Sequence, residues 1–311
     1  MINQLNEDRF FMREKFQKFL AAMAIIFILP YVIVSLGSPE TRETYAVQKA
    51  SGNFISIQTK DGIREISFED YVCGVAAQEM DDKCPLEAVK AQMVIVRTNL
   101  KKFQEEHPGT LLSEEYLTLE EMAEKGILDA MLQAAEETQG QVLSFEGELV
   151  QAPYHAVSSG RTRSGAEAGL GEQYPWLTGV ESRQDVESEW YLSVGQSEPE
   201  SLRVCIAAEY PEALTEGDLM GQIEILSRDE GGYVTRMRVG SQEMTGEKFR
   251  SLLNLPSSCF YMEENEGKIR ITVKGLGHGM GLSLYGARRM AEAGAGYQEI
   301  LQYYFENCII S

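Results

Sequence analysis

The stretch from Phe68 to Leu100, FEDYVCGVAAQEMDDKCPLEAVKAQMVIVRTNL, holds the side chains best spaced for chemistry. Tyr71, Val75 and Glu79 recur at i, i+4 and i+8, which puts them on one face of a helix. That face is mostly apolar, and Glu79 ends it. A carboxyl group at the end of a buried stripe loses solvation, which raises its pKa and suits a general acid. A surface acid at a helix end is the competing reading. A second helix follows, with Pro85 at its first position and Glu87 in its first turn. Lys90 and Arg97 fall on nearly the same side of it. Two cations beside an acid can grip an oxygen-rich ligand or orient the acid. A solvated charged face has the same pattern. Ala88, Ala91 and Ile95 form a stripe of smaller side chains suited to close packing.

Two further segments are rich in polar groups. HAVSSGRT, residues 155–162, follows a strand and sets a His, two Ser and a Thr in a loop. Serine hydrolysis would need a nucleophile elbow, and no G-x-S-x-G occurs. GLGHGMG, residues 275–281, lies between a strand and a helix. It lacks both G-x-G-x-x-G and a Walker Lys-Ser/Thr pair, so a nucleotide loop is disfavoured. A tight turn that packs His278 and a wall of a substrate groove both fit it. The chain has 3 His, and no Cys lies between Cys84 and Cys205, so a zinc site is not expected.

The elements that must position these residues mix helices with antiparallel strands, without a strict βαβ rhythm. The expected class is therefore α+β. NFISIQTKDGIREIS reads as a hairpin turning at Asp61-Gly62, and QVLSFEGELVQAPYHA as another turning at Glu146-Gly147. Tyr116 to Glu137 reads as one helix, GEKFRSLLNL as a short helix and KIRITVKG as a strand. The C-terminal segment reads as two helices split by Gly294-Ala295-Gly296. Between 180 and 240 only a hairpin around Asp229-Glu230-Gly231-Gly232 stands out.

A net charge of −20 over 311 residues argues against nucleic acid, which needs a basic footprint. Phe19 to Leu36 is uncharged and almost wholly apolar, close to the ~20 residues that cross a bilayer. Arg9, Arg13, Lys15 and Lys18 precede it, which places the N-terminus in the cytoplasm and the rest outside the cell membrane. The run exceeds the roughly 7–15 apolar residues of a signal peptide, so a single-pass anchor is expected. The expected organisation is a cytoplasmic tail over 1–18, a transmembrane helix over 19–36, a linker over 37–48 and an extracellular catalytic domain over 49–311. A β-rich subdomain over about 181–250 would sit within it. The chain has 5 Cys at irregular spacing, which is no disulfide scaffold. Cys73 and Cys84 flank Glu79 and are read as separate thiols, pairing being the alternative.

EDYVCGVAAQEM…CPLEAVKAQMVIVRT, YHAVSSGRT and GLGHGMGLSLYGARRMA…YQEILQYYF, in this order, resemble the stage II sporulation protein D family, which includes the amidase enhancer proteins. The resemblance runs from about Ile66 onward. It implies a lytic transglycosylase acting on peptidoglycan glycan strands during forespore engulfment, with a cell-wall amidase and other engulfment proteins as partners and no cofactor. It puts the catalytic Glu at Glu79, and basic substrate contacts at Lys90 and Arg97. It puts the His, Ser and Thr of the polar loop at His155, Ser158 and Thr162, and the His, Ser and Tyr of the last motif at His278, Ser283 and Tyr285. Departures are Asp81 for the usual Pro, Leu284 for a Gln and Asn99 for an aromatic. Some members bind zinc through cysteines after the loop His; this chain has none there, so no metal is expected. The chemistry such enzymes perform needs only one acid, because the C6 hydroxyl of muramic acid attacks its own anomeric carbon. A hydrolase would need two carboxylates. A glycan-binding enhancer or a scaffold that does not cut is the alternative.

Overall fold

The computed structural model describes residues 53–80 and 83–311. The tail, apolar run and linker expected over 1–48 lie outside the described residues. No helix among the described residues is long and apolar enough to cross a membrane. Residues 55–311 form one compact unit.

Strands β1 (Phe54–Thr59) and β2 (Gly62–Ser67) make the first hairpin, with Gly62 at φ +116° in its turn. Helices α1 (Phe68–Gln78) and α2 (Leu86–Glu106) follow. Pro85 has extended backbone and caps α2, so the helix starts one residue later than its sequence suggests. Tyr116 to Glu137 is not one helix but two, α3 (Leu119–Glu124) and α4 (Leu128–Glu137). Thr118 and Glu121 form a capping box at the start of α3, and Gly126 at φ +72° breaks the run. The hairpin β3 (Leu143–Phe145) and β4 (Glu148–Leu149) turns through Glu146 and Gly147, both at positive φ as a type I′ turn requires. The last strand, β13 (Ile309–Ile310), pairs with β3.

Strand β5 (Tyr154–His155) pairs in parallel with β12 (Leu282–Ser283), matching Leu282 to Tyr154 and Ser283 to His155. This short pairing joins the two polar loops. Between them runs the β-rich region: β6 (Leu192–Ser197), α5 (Pro199–Glu209), β7 (Ile223–Arg228), β8 (Val234–Val239), β9 (Gln242–Met244), α6 (Gly246–Leu253), β10 (Phe260–Asn265) and β11 (Lys268–Lys274). Its sheets are ordered β7-β8-β9 and β10-β11-β6, all antiparallel. Because β6 pairs with β11, this region continues past residue 250 to Lys274. Helices α7 (Leu284–Glu292) and α8 (Tyr297–Tyr304) end the helical part.

Three apolar clusters hold these elements. Val89, Met93, Val96 and Leu100 of α2 join α1, α3 and α4 in the first. Ala91, Val94 and Ile95, on another side of α2, join α7, α8 and β3 in the second. A helix buried on several sides is apolar on several sides, as α2 is. The third cluster, from Leu202 to Val273, belongs to the β-rich region. Helices beside mainly antiparallel sheets make the fold α+β. Cys73 is buried in the first cluster, where desolvation pushes its thiol far up, and no disulfide joins it to Cys84.

A candidate active-site groove around Glu79

Glu79 is the C-cap of α1 and is exposed, so the desolvated carboxyl expected from the stripe is not what forms. The stripe does bury Tyr71 and Val75, but the helix ends before Glu79 can follow them. The carbonyl end of a helix disfavours an anion, so this position gains nothing for stability. Among the described residues, no hydrogen bond or ion pair engages the Glu79 side chain.

What surrounds Glu79 is concave. Three adjoining depressions of about 390, 580 and 160 Å³ all have Glu79 in their lining. Tyr154 is shared by the first two and Ala156 by the second pair, so β5 and the residue after it form a common floor. The first is acidic, with Glu114 and Glu115; Glu114 also accepts a hydrogen bond from the Tyr71 hydroxyl at 3.2 Å. The second is polar, with Asn99, His155, His278 and Arg250. The third is aromatic and apolar, with Met80, Trp190, Leu284 and Tyr285. Burial, with the nearby Glu79 and Glu114 charges, pushes the Tyr154 hydroxyl up to about 12, so it stays protonated.

Both groove histidines are fixed by one residue. The His155 Nδ1–H donates to the Met280 carbonyl at 3.0 Å, which leaves Nε2 as a bare acceptor. His278 Nδ1 accepts from the Met280 N–H at 3.0 Å, which puts its proton on Nε2. Burial, reinforced by His278, lowers the His155 pKa to about 3, and burial also lowers that of His278. Both rings are therefore neutral at pH 7. Their centroids lie 5.7 Å apart, and His155 Nε2 is buried without a partner. Only glycine permits this approach: a Cβ on Gly277 would stand 2.6 Å from the His155 Cβ, and one on Gly281 1.9 Å from the Pro153 carbonyl oxygen. The Gly-rich loop is thus both a tight turn and a wall of the groove. Asn99 clamps the floor, donating to the Ala152 carbonyl and accepting from its N–H, each at 2.8 Å.

The remaining residues singled out from the sequence lie elsewhere. Lys90 is buried and bridges Glu87 and Glu137, each at 2.5 Å. Arg97 is wholly buried and donates to both oxygens of Glu69, at 3.0 and 2.7 Å, and to the Gln141 carbonyl. Neither lines the groove, which corrects their expected role as substrate contacts. Glu87 of α2 itself and Glu137 of α4 claim Lys90, and Glu69 of α1 claims Arg97. Ser158, Thr162 and Ser283 are also buried and committed to structure. The Thr162 hydroxyl accepts from the Val180 N–H at 2.8 Å. Ser283 caps α7 through the Gly286 N–H and donates to Asp185 Oδ1 at 2.9 Å. Asp185 Oδ2 accepts from the Ser158 N–H at 2.7 Å. Of the expected site residues, Glu79, His155, His278 and Tyr285 meet at the groove.

Four others were not foreseen. Asp185 is fully buried and ties the Ser158 loop to the start of α7; desolvation raises its pKa against the pull of its serine partners. Arg163 pairs with Asp229 at 2.7 Å, both buried, and joins the same loop to the β-rich region. Arg250 and Trp190 line the groove. The Arg-Thr-Arg run could have flagged Arg163, and the scarcity of Trp could have flagged Trp190. Nothing in the local sequence marks Asp185. Among the described residues, no group of three or more His, Cys, Asp or Glu gathers as metal ligands.

The family model described as Stage II sporulation protein matches residues 57–145, a span that contains Glu79 and α2. The chain is 30% identical over 270 residues to Stage II sporulation protein D of Bacillus amyloliquefaciens, covering 80% of this chain and 75% of that one. It is 29% identical over 272 residues to Stage II sporulation protein D of Bacillus subtilis (strain 168), covering 80% and 76%. It is 26% identical over 281 residues to the Amidase enhancer of the same organism, covering 75% of this chain and 39% of that one. The chain belongs to the stage II sporulation protein D family.

Proposed function

We propose that this protein is a membrane-anchored lytic transglycosylase that cleaves denuded peptidoglycan strands between muramic acid and glucosamine during sporulation. The observation that carries the reading is the place of Glu79, where three depressions meet. Protonated Glu79 gives its proton to the glycosidic oxygen as the anomeric C–O bond breaks. The C6 hydroxyl of the same muramic acid then bonds to the anomeric carbon, and its proton returns to the Glu79 carboxylate. The acid is restored and no water is consumed. His155 Nε2, an acceptor without a donor, suits a sugar hydroxyl or acetamido N–H that settles against it. The apolar run over 19–36 would hold the domain at the outer face of the cell membrane.

A non-cutting glycan binder that stimulates or recruits a cell-wall amidase is the second reading, favoured by the name of the Amidase enhancer relative. Purified full-length protein in detergent is incubated with glycan strands, with and without stem peptides, and products are read by mass spectrometry. Shortened denuded strands with anhydro-muramyl ends are expected, and fewer cuts on peptide-bearing strands. Strands of unchanged length would favour the binder; reducing muramyl ends would indicate a hydrolase.

A further inference from the structure

Trp190 is 64% exposed, although indole is among the costliest side chains to leave in water. Its mount is rigid. The Trp190 N–H donates to Ser188 Oγ at 3.2 Å, and the next residue is held twice, by the Gly275 N–H on the Tyr191 carbonyl at 2.7 Å and by the Tyr191 hydroxyl on the Ser159 carbonyl. A fixed backbone with an uncovered ring is a prepared surface, and it shares the third depression with Glu79. The other walls are Met80, Val157, Leu284 and Tyr285, and the charge of Arg288 is offset by Glu292 at 2.9 Å.

We propose that Trp190 is the floor of a sugar subsite that takes an uncharged N-acetylglucosamine ring next to the scissile linkage. This rests on the glycan-cleaving reading of Glu79. A β-1,4-linked glucosamine holds its substituents equatorial, so its axial C–H bonds form apolar faces that stack on an aromatic ring. Its polar rim then points outward, and the acetamido methyl meets the Met80 and Val157 side. The depression, about 160 Å³, suits one ring rather than a helix or strand of a partner protein. It has little net charge besides Glu79, which suits the neutral sugar better than the muramic acid carboxylate.

The chain has 2 Trp, so a Trp176→Phe variant leaves Trp190 as the single indole reporter. Full-length protein in detergent is titrated with chitohexaose, following indole emission, acrylamide quenching and heat of binding. The expected result is a blue shift with protection from quenching, the same in a Glu79→Gln background. Trp190→Ala should weaken binding about three- to tenfold, and Trp190→Phe should retain most of it. Binding heat with no change at Trp190, and wild-type affinity in Trp190→Ala, would overturn the subsite and leave the groove reading standing. If neither chitohexaose nor denuded strands bind, both fail.

Discussion

Two charged regions lie close together in sequence and behave in opposite ways. Along α2, Lys90 and Arg97 are buried and each is met by acids at 2.5–3.1 Å. At the end of α1, Glu79 is exposed, faces three depressions and has no partner among the described residues. In the first region both buried cations are answered, so the ions hold helices together. In the second, an exposed carboxylate is left unanswered at a helix end that disfavours it, beside the groove, which suits the role we propose for it. Charge that is paired and buried belongs to the scaffold; the open carboxylate at the groove is the one we propose for the chemistry.

The scaffold side breaks most severely at Glu69. Glu69→Ala leaves the Arg97 guanidinium buried and uncompensated, which costs about 3–5 kcal/mol. Denaturant midpoints should fall accordingly, and an unchanged midpoint would remove Arg97 from the scaffold. Next is Asp185→Ala, which orphans the Ser158 N–H and the Ser283 hydroxyl for about 1–3 kcal/mol. It should also loosen the segments next to His155 and Tyr285, read as faster amide exchange at Ser158.

His155 tests the polar wall. Its pKa is about 3 when folded against about 6.5 when unfolded, so the unfolded chain takes up the proton first. Its stabilising contribution is complete above pH 6.5 and is lost as pH falls toward 3, by about 2 kcal/mol at pH 5. His155→Asn should remove that part of the acid sensitivity, measured as the difference between the two stability curves. The smallest effect is expected from Lys90→Met, an apolar side chain of similar length between acids that are partly exposed. Stability should move by less than about 1 kcal/mol, and glycan affinity should not change. A tenfold loss of affinity would return Lys90 to the substrate.

The sequence was legible wherever a local rule operates. The α1–α2 pair, the Asp61-Gly62 and Glu146-Gly147 turns and the strand from Lys268 to Lys274 all follow from periodicity or turn chemistry. Glu79 and the two groove histidines were also visible as residues. The roles of Lys90 and Arg97 were not, because a cation on a helix reads the same whether water, substrate or a distant Glu69 meets it. Asp185 was invisible for a related reason. Two of its serine partners, Ser158 and Ser283, lie 27 and 98 residues away, and the β5–β12 pairing brings them to it. Strand β6 escaped notice because its partner β11 lies beyond the charged segment that separates them.

Glu79 carries the proposed chemistry. Full-length wild-type and Glu79→Gln proteins, matched for melting temperature and chitohexaose affinity, are compared for release of anhydro-muramyl ends from denuded strands. Equal folding, equal binding and a rate lower by about 10²–10⁴ are expected of the variant. Release by Glu79→Gln at the wild-type rate would remove Glu79 from the chemistry.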